Sequence, residues 1–219
     1  MPDFFHSDHI SLKICGITQE DIAQQLIELG VDALGFNFWP QSKRYLEPKA
    51  AQAWVPQLKG SVIRIGLFVN QPLEHIKALY KQGLFDYAQL HGEETVAFTQ
   101  ELISLGMPCI KALRIKDEQD IHLIDEFSNT DISALLLDAY HPQEQGGSGQ
   151  SFDWSIMSHP NITQTTIPII LAGGINTSNI SVAAQVPGIV ALDLASGAES
   201  TPGIQDIDKV QLLISSLNS

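Results

Sequence analysis

Apolar and polar residues fall into two kinds of block along this chain. Short runs rich in Ile, Val, Leu and Phe recur at 10–15, 32–38, 62–69, 86–91, 109–115, 134–138, 168–172 and 188–195. Runs of this length bounded by polar turns predict strands buried on both faces. Between them lie segments with helical spacing. The first carries Ile22, Ala23, Leu26, Ile27 and Leu29 on one face; Thr18 and Asp21 open it as a capping pair and Gly30 closes it. Others are expected at about 48–58, 72–82, 93–105, 117–128, 152–158, 177–185 and 205–217. The period is βα, about 27 residues per unit over 219 residues, without a linker or a break in composition. Strict alternation predicts a parallel sheet with right-handed crossovers. Eight units fit a single closed (β/α)8 barrel, one domain over 1–219, with an open doubly wound sheet as the competing arrangement.

Composition narrows the partners. At 44% hydrophobic the chain can fill a large core, and a formal charge of -13 opposes nucleic acid or an anionic membrane as the main partner. The stretch from Ser155 to Leu192 lacks Asp, Glu, Lys and Arg, but Asn, Gln, Thr, Gly and three prolines interrupt it, so no transmembrane helix is expected. "MPDFFHSDHI" has neither the basic start nor the apolar core of a secretory signal. Cys15 and Cys109 stand far apart without metal-ligand spacing. Neither a disulfide framework nor a metal site is expected, and a cytoplasmic location fits.

In a barrel of this kind chemistry collects where strands end and βα loops begin. "LKICGIT" places Cys15 at the end of the first strand, and alternation turns Lys13 to the same side. "ALLLD" places Asp138 at the end of the sixth; Arg44 follows the second and His91 the fourth. Each has an ordinary reading as well: a buried cysteine, a loop-capping aspartate, a solvated arginine, a loop-fixing histidine. Glycine-rich "GGSG" (146–149), "AGGI" (172–175) and "ASGAES" (195–200) follow strands 6, 7 and 8. Loops after strands 7 and 8 commonly cradle phosphate. Neither a Walker A nor a GxGxxG pattern is present, so the phosphate is assigned to a substrate and no cofactor is expected.

"LKICGIT", "GFNFWPQSKRYL", "GLFVN", "QLHGEE", "LLLDAYHPQEQGGSGQSFDW", "LAGGI" and "LDLASGAES" together resemble the phosphoribosylanthranilate isomerase family of tryptophan biosynthesis, in the family's order and across nearly the whole chain. The resemblance implies a TIM barrel of the ribulose-phosphate-binding type that works without cofactor or metal. It further implies an Amadori rearrangement of N-(5-phosphoribosyl)anthranilate, a phosphorylated aminosugar, to 1-(2-carboxyphenylamino)-1-deoxyribulose 5-phosphate. Asp138 then matches the general acid, Cys15 the general base and Arg44 the residue for the anthranilate carboxylate. Asp193, Gln89 and His91 are matched to the substrate, and Gly173, Gly174, Ser196 and Gly197 to the phosphate. Gln150 and Ala195 depart from the family, where Lys or Arg and serine are common. A monomer or homodimer is expected.

Related barrels acting on indole-glycerol phosphate or another aminoaldose would share the phosphate loops but not need the cysteine and aspartate pair. An FMN-binding barrel and a catalytically inert barrel are further alternatives. The acid–base chemistry makes demands on both groups. An ordinary aspartic acid is protonated about one part in a thousand at pH 7, so Asp138 is expected to be raised by burial or substrate anions. An ordinary thiol is only a few per cent ionised, so Lys13 and the amides of the first helix are expected to depress Cys15.

Overall fold

The computed structural model describes residues 4–5, 9–115, 118–139 and 154–217. Its eight long strands are β1 (Ser11–Cys15), β2 (Ala33–Asn37), β3 (Ile63–Phe68), β4 (Tyr87–Leu90), β5 (Cys109–Ile115), β6 (Ala134–Ala139), β7 (Ile169–Ala172) and β8 (Ile189–Leu194). They pair in chain order and β8 closes on β1, giving a barrel and setting aside the open sheet. All of these pairings are parallel.

Alternation along the strands divides the buried side chains into two populations. Ala33, Ile63, Ile65, Leu67, Ile110, Ala112, Ala134, Leu136, Ile170 and Ala191 fill the barrel interior with Cys15. Leu12, Ile14, Leu34, Leu90, Leu113, Leu135 and Leu171 point outward into the layer shared with the helices. Sequence patterning does not announce Phe4 and Phe5, both buried: they contact each other edge-on at 5.0 Å, and Phe5 meets Tyr87 at 5.3 Å. Tyr87, Ala33, Ile63 and Ala134 begin their strands, so these two rings plug the N-terminal end of the barrel.

The helical segments are α1 (Glu20–Glu28), α2 (Pro48–Ala51), α3 (Leu73–Lys81), α4 (Val96–Ser104), α5 (His122–Glu126), α6 (Pro160–Thr163), α7 (Ile180–Ala183) and α8 (Ile207–Leu217). Several are shorter than their patterns predict. The 48–58 segment splits into α2 and a 3-10 turn at Val55–Leu58, where Pro56 lacks the N–H that a continuing α-helix needs. The 152–158 segment becomes a 3-10 turn at Trp154–Ser158, and Pro160 starts α6 afresh; residues 152 and 153 lie outside the described residues. Thr18 does not cap α1. Gln19 occupies that position without a side-chain bond, and the Thr18 hydroxyl donates instead to the Gly203 carbonyl at 2.7 Å.

Its acceptor belongs to an element the apolar pattern does not predict. After β8 and a 3-10 turn at Ser196–Ala198, β9 (Glu199–Thr201) pairs antiparallel with β10 (Ile204–Gln205). This short hairpin leans on the loop that follows β1: Gln205 Nε2 donates to the carbonyls of Cys15 and Gly16, both at 3.3 Å. Among the described residues no helix is long and apolar enough to cross a membrane.

Candidate active site

The strands end on one mouth, and their last inward-facing positions line a cavity of about 380 Å³, within the range of small-molecule sites. Cys15, Arg44, His91, Asp138, Gly173, Gly174, Asp193 and Ser196 all reach it. Gln89 and Gly197 do not. Gln89 is fully buried one layer below His91, and Gly197 sits where a Cβ would collide with the Ile175 carbonyl, packing the loop after β8 against the loop after β7. Gln150 and the 146–149 glycines lie outside the described residues.

At the end of β1, the backbone of Gly35 on β2 makes room for the thiol: a Cβ there would stand 2.8 Å from Cys15 Sγ and 3.2 Å from Lys13 Cε. Lys13 lies opposite Asp193 in the β1–β8 register, is wholly buried, and donates from Nζ to Asp193 Oδ1 at 2.7 Å. Burial pulls the Lys13 ammonium down, but Asp193 and Cys15 outweigh it and hold the group above its ordinary value.

For Cys15 the balance runs the other way. Burial pushes the thiol up, Lys13 pulls it down, Asp193 pushes it up and Arg44 pulls it down, and the balance leaves it raised to about 11. The expected depression is therefore reversed. Lys13 acts in the expected direction, but desolvation outweighs it and Asp193 cancels part of it. The helix amides do not contribute as expected either: α1 starts at Glu20, and the nearer Gly16 and Ile17 N–H groups both donate to the Gly35 carbonyl, at 2.9 and 3.0 Å. Lys13→Met should push the thiol titration higher still and Asp193→Asn should bring it down, in protein that circular dichroism finds folded. Iodoacetamide labelling against pH, read by mass spectrometry on the Cys15 peptide, measures both; an unmoved titration in Lys13→Met would remove the lysine from this account.

Cys109 is a useful contrast. It faces the helical layer with no solvent exposure, donates to the Met107 carbonyl at 3.3 Å, and burial alone pushes it up to about 12. It packs as a small apolar residue.

Across the cavity, Asp138 Oδ2 lies 3.3 Å from His91 Nε2, and Gln89 Nε2 lies 3.0 Å from His91 Nδ1. An amide nitrogen only donates, so Nδ1 accepts and the ring proton sits on Nε2, facing the carboxyl group. Asp138 Oδ1 has no partner among the described residues and is left for a ligand. Gln89 and His91, expected at the substrate, thus form a support for Asp138, and His91 alone of the two reaches the cavity.

Arg44 is held more firmly than its sequence context suggests. Its Nε and Nη2 donate to the two carboxylate oxygens of Glu199 on β9, both at 2.6 Å, and this pairing is the largest cause holding its pKa above the ordinary value. Beneath it, Gly16 has φ +84° and a Cβ there would strike Arg44 Cδ, so this position needs glycine on both counts. Neither Glu199 nor Arg114 was expected at the site. Arg114 ends the inward row of β5, registers with Asp138 and lines the cavity, and alternation from Ile110 and Ala112 could have located it. Glu199 lies 155 residues from its partner in a three-residue strand, for which no periodic signal exists.

On the β7 side, Gly173 (φ +90°) and Gly174 (φ +66°) form a turn whose Gly174 carbonyl accepts from the side-chain amides of Asn176 and Asn179, both at 3.0 Å. Among the described residues there is no group of three or more His, Cys, Asp and Glu that could hold a metal ion.

Comparison with known proteins agrees with this arrangement. The family described as N-(5'phosphoribosyl)anthranilate (PRA) isomerase matches residues 12–216. N-(5'-phosphoribosyl)anthranilate isomerase of Rippkaea orientalis is 39% identical over 208 residues, 94% of this chain and 95% of that protein. The corresponding Synechococcus protein is 38% identical over 211 residues, 95% and 90% of the two chains. Among solved structures, phosphoribosyl anthranilate isomerase from Thermotoga maritima superposes with a TM-score of 0.85 at 34% identity, covering 95% of this chain and 98% of that one. With that agreement over nearly the full length, on top of a barrel whose mouth gathers the motif residues, the chain belongs to the N-(5'-phosphoribosyl)anthranilate isomerase family.

Proposed function

We propose that this isomerase carries out an Amadori rearrangement in the cytoplasm, with Asp138 as general acid, Cys15 as general base and no cofactor. The observation that carries the reading is the convergence of Cys15, Asp138, Arg44 and the glycine turns on one cavity. A solved relative in complex with reduced 1-(o-carboxyphenylamino)-1-deoxyribulose 5-phosphate, 32% identical with a TM-score of 0.83, supports a ligand of this chemistry.

The substrate phosphate docks against Gly173, Gly174 and Ser196, and Gly197 keeps the two loops together. Arg44 takes the anthranilate carboxylate, where a planar guanidinium suits bidentate pairing. Asp138 gives its proton to the ring oxygen as the C1–O bond breaks. The nitrogen lone pair then forms a C1=N bond, leaving an iminium cation. Cys15 as thiolate removes the C2 proton, and the C–H electrons form C1=C2 while the C1=N pair returns to nitrogen. The resulting enolamine tautomerises to the ketone.

This order follows from the electrostatics. A thiol titrating near 11 is a poor base in the resting site. A unit positive charge about 4 Å away contributes about 4 kcal/mol at an effective dielectric near 20, roughly 10³-fold in thiolate population. Formation of the iminium therefore activates the base when it is needed. The proton it sheds can reach water, because Cys15 lines the cavity.

Growth tests the reading as a whole. The chain should restore growth without tryptophan to a host lacking the isomerase, and Cys15→Ala should abolish the rescue. Failure of the unaltered, soluble chain to rescue would count against the assignment.

A further inference from the structure

The pairing of Arg44 with Glu199 raises a question that the carboxylate role leaves open. A guanidinium has two edges able to grip a carboxylate: the side edge, Nε with Nη2, and the end edge, Nη1 with Nη2. Glu199 occupies the side edge completely, with two bonds of 2.6 Å. Nη1 has no partner among the described residues, while the Arg44 side chain lines the cavity and keeps 25% of its exposure.

Glu199 itself is fixed. Its side chain is 3% exposed, its Oε1 also accepts from the Gly203 N–H at 3.0 Å, and its backbone carbonyl accepts from Lys209 Nζ at 2.8 Å. The hairpin that carries it is clasped to the loop after β1 by Thr18 and Gln205. Arg44 also lies over Gly16, which has no side chain to displace it. The guanidinium plane is thus set by a buried anion on a rigid hairpin rather than by the exposed loop on which Arg44 sits.

We propose that Glu199 is a positioning residue that selects for the substrate's ortho carboxylate: by filling the side edge of Arg44 it reserves the end edge, in one fixed plane, for that group. The inference rests on Arg44 binding the carboxylate. A pre-set plane removes the ordering that a mobile arginine would undergo on binding, and it gives a substrate lacking the carboxylate nothing to gain.

Steady-state kinetics of the purified full chain on N-(5-phosphoribosyl)anthranilate and on the analogous phosphoribosyl aniline, which lacks the carboxylate, tests this. Glu199→Gln should raise KM for the anthranilate substrate about 5- to 10-fold, the range that immobilising one long side chain represents, with kcat within about twofold. Its kcat/KM for the aniline substrate should stay within about twofold of wild type. Glu199→Asp, which keeps the charge but shortens the reach, should show the same selectivity more weakly and serves if the glutamine variant does not fold. A KM that falls in Glu199→Gln would mean that Glu199 competes with the substrate for Arg44, and equal losses on both substrates would mean a merely structural role; either overturns the proposal. Arg44→Ala on the same pair separates the two claims. If Arg44→Ala lowers kcat/KM equally on both substrates, the carboxylate reading of Arg44 is wrong and this inference falls with it. If its loss is confined to the anthranilate substrate and Glu199→Gln shows no such selectivity, only the role of Glu199 is lost.

Discussion

Cys15→Ala is expected to lower kcat by at least about 10²-fold, the lower range for a positioned proton-transfer group, with little change in KM. The side chain is small and alanine leaves the strand geometry intact, so Arg44, the Gly173–Gly174 turn and Ser196 keep their places around the cavity. Loss of binding instead of turnover would point to a packing role like that of Cys109. The pH profile of the remaining activity adds a second reading. The base works only when deprotonated and the acid only when protonated, so the wild-type profile is a balance of a rising and a falling dependence. Without Cys15 the rising part disappears, and the residual rate should only decline as pH increases.

Asp138→Asn is expected to reduce kcat by a similar factor, at least about 10²-fold, and to leave the complementary profile. Asparagine keeps the size of the side chain and can still accept from His91 Nε2, so the support built by Gln89 and His91 survives while the deliverable proton does not. Only the thiol then governs the pH response. Its ionised fraction grows about tenfold per pH unit below its titration, which lies at about 11 in the free site. The kcat/KM of Asp138→Asn should therefore climb through neutrality and level off only in strongly alkaline solution. A flat profile between pH 6 and 9 would show that Cys15 does not act as the base.

Much of the fold was legible because β strands covered on both faces leave an unmistakable trace. Leu12 and Ile14 face the helices while Lys13 and Cys15 face the interior, and the same two-sided burial makes each of the eight strands an apolar run. Their ends fall within one or two residues of the expected bounds for the same reason. The helices were less well bounded, since Pro56 and Pro160 break patterns that periodicity alone reads as continuous.

At the site, strand-end position found Cys15, Asp138, His91 and Asp193, and the glycine pattern found the turns. Residue identity alone could not weigh opposing fields. Lys13 beside Cys15 reads as an activating charge, yet the depth of burial and the Asp193 counter-charge reverse the outcome. Nor could spacing bring Glu199 to Arg44, because their meeting depends on the closure of β8 onto β1 and on a hairpin too short to have a period.

The aromatic stopper made by Phe4 and Phe5 has a kinetic side. Below the cavity the interior is packed with side chains down to these two rings, so among the described residues no passage leads out through the base, and incoming and outgoing molecules share the mouth. Under the proposed mechanism, newly formed ketose, still bearing its phosphate and its carboxylate, would hold the same anchors that the next aminoaldose needs. Turnover is then coupled to departure, and accumulated ketose should act as a competitor at the entrance instead of draining away behind.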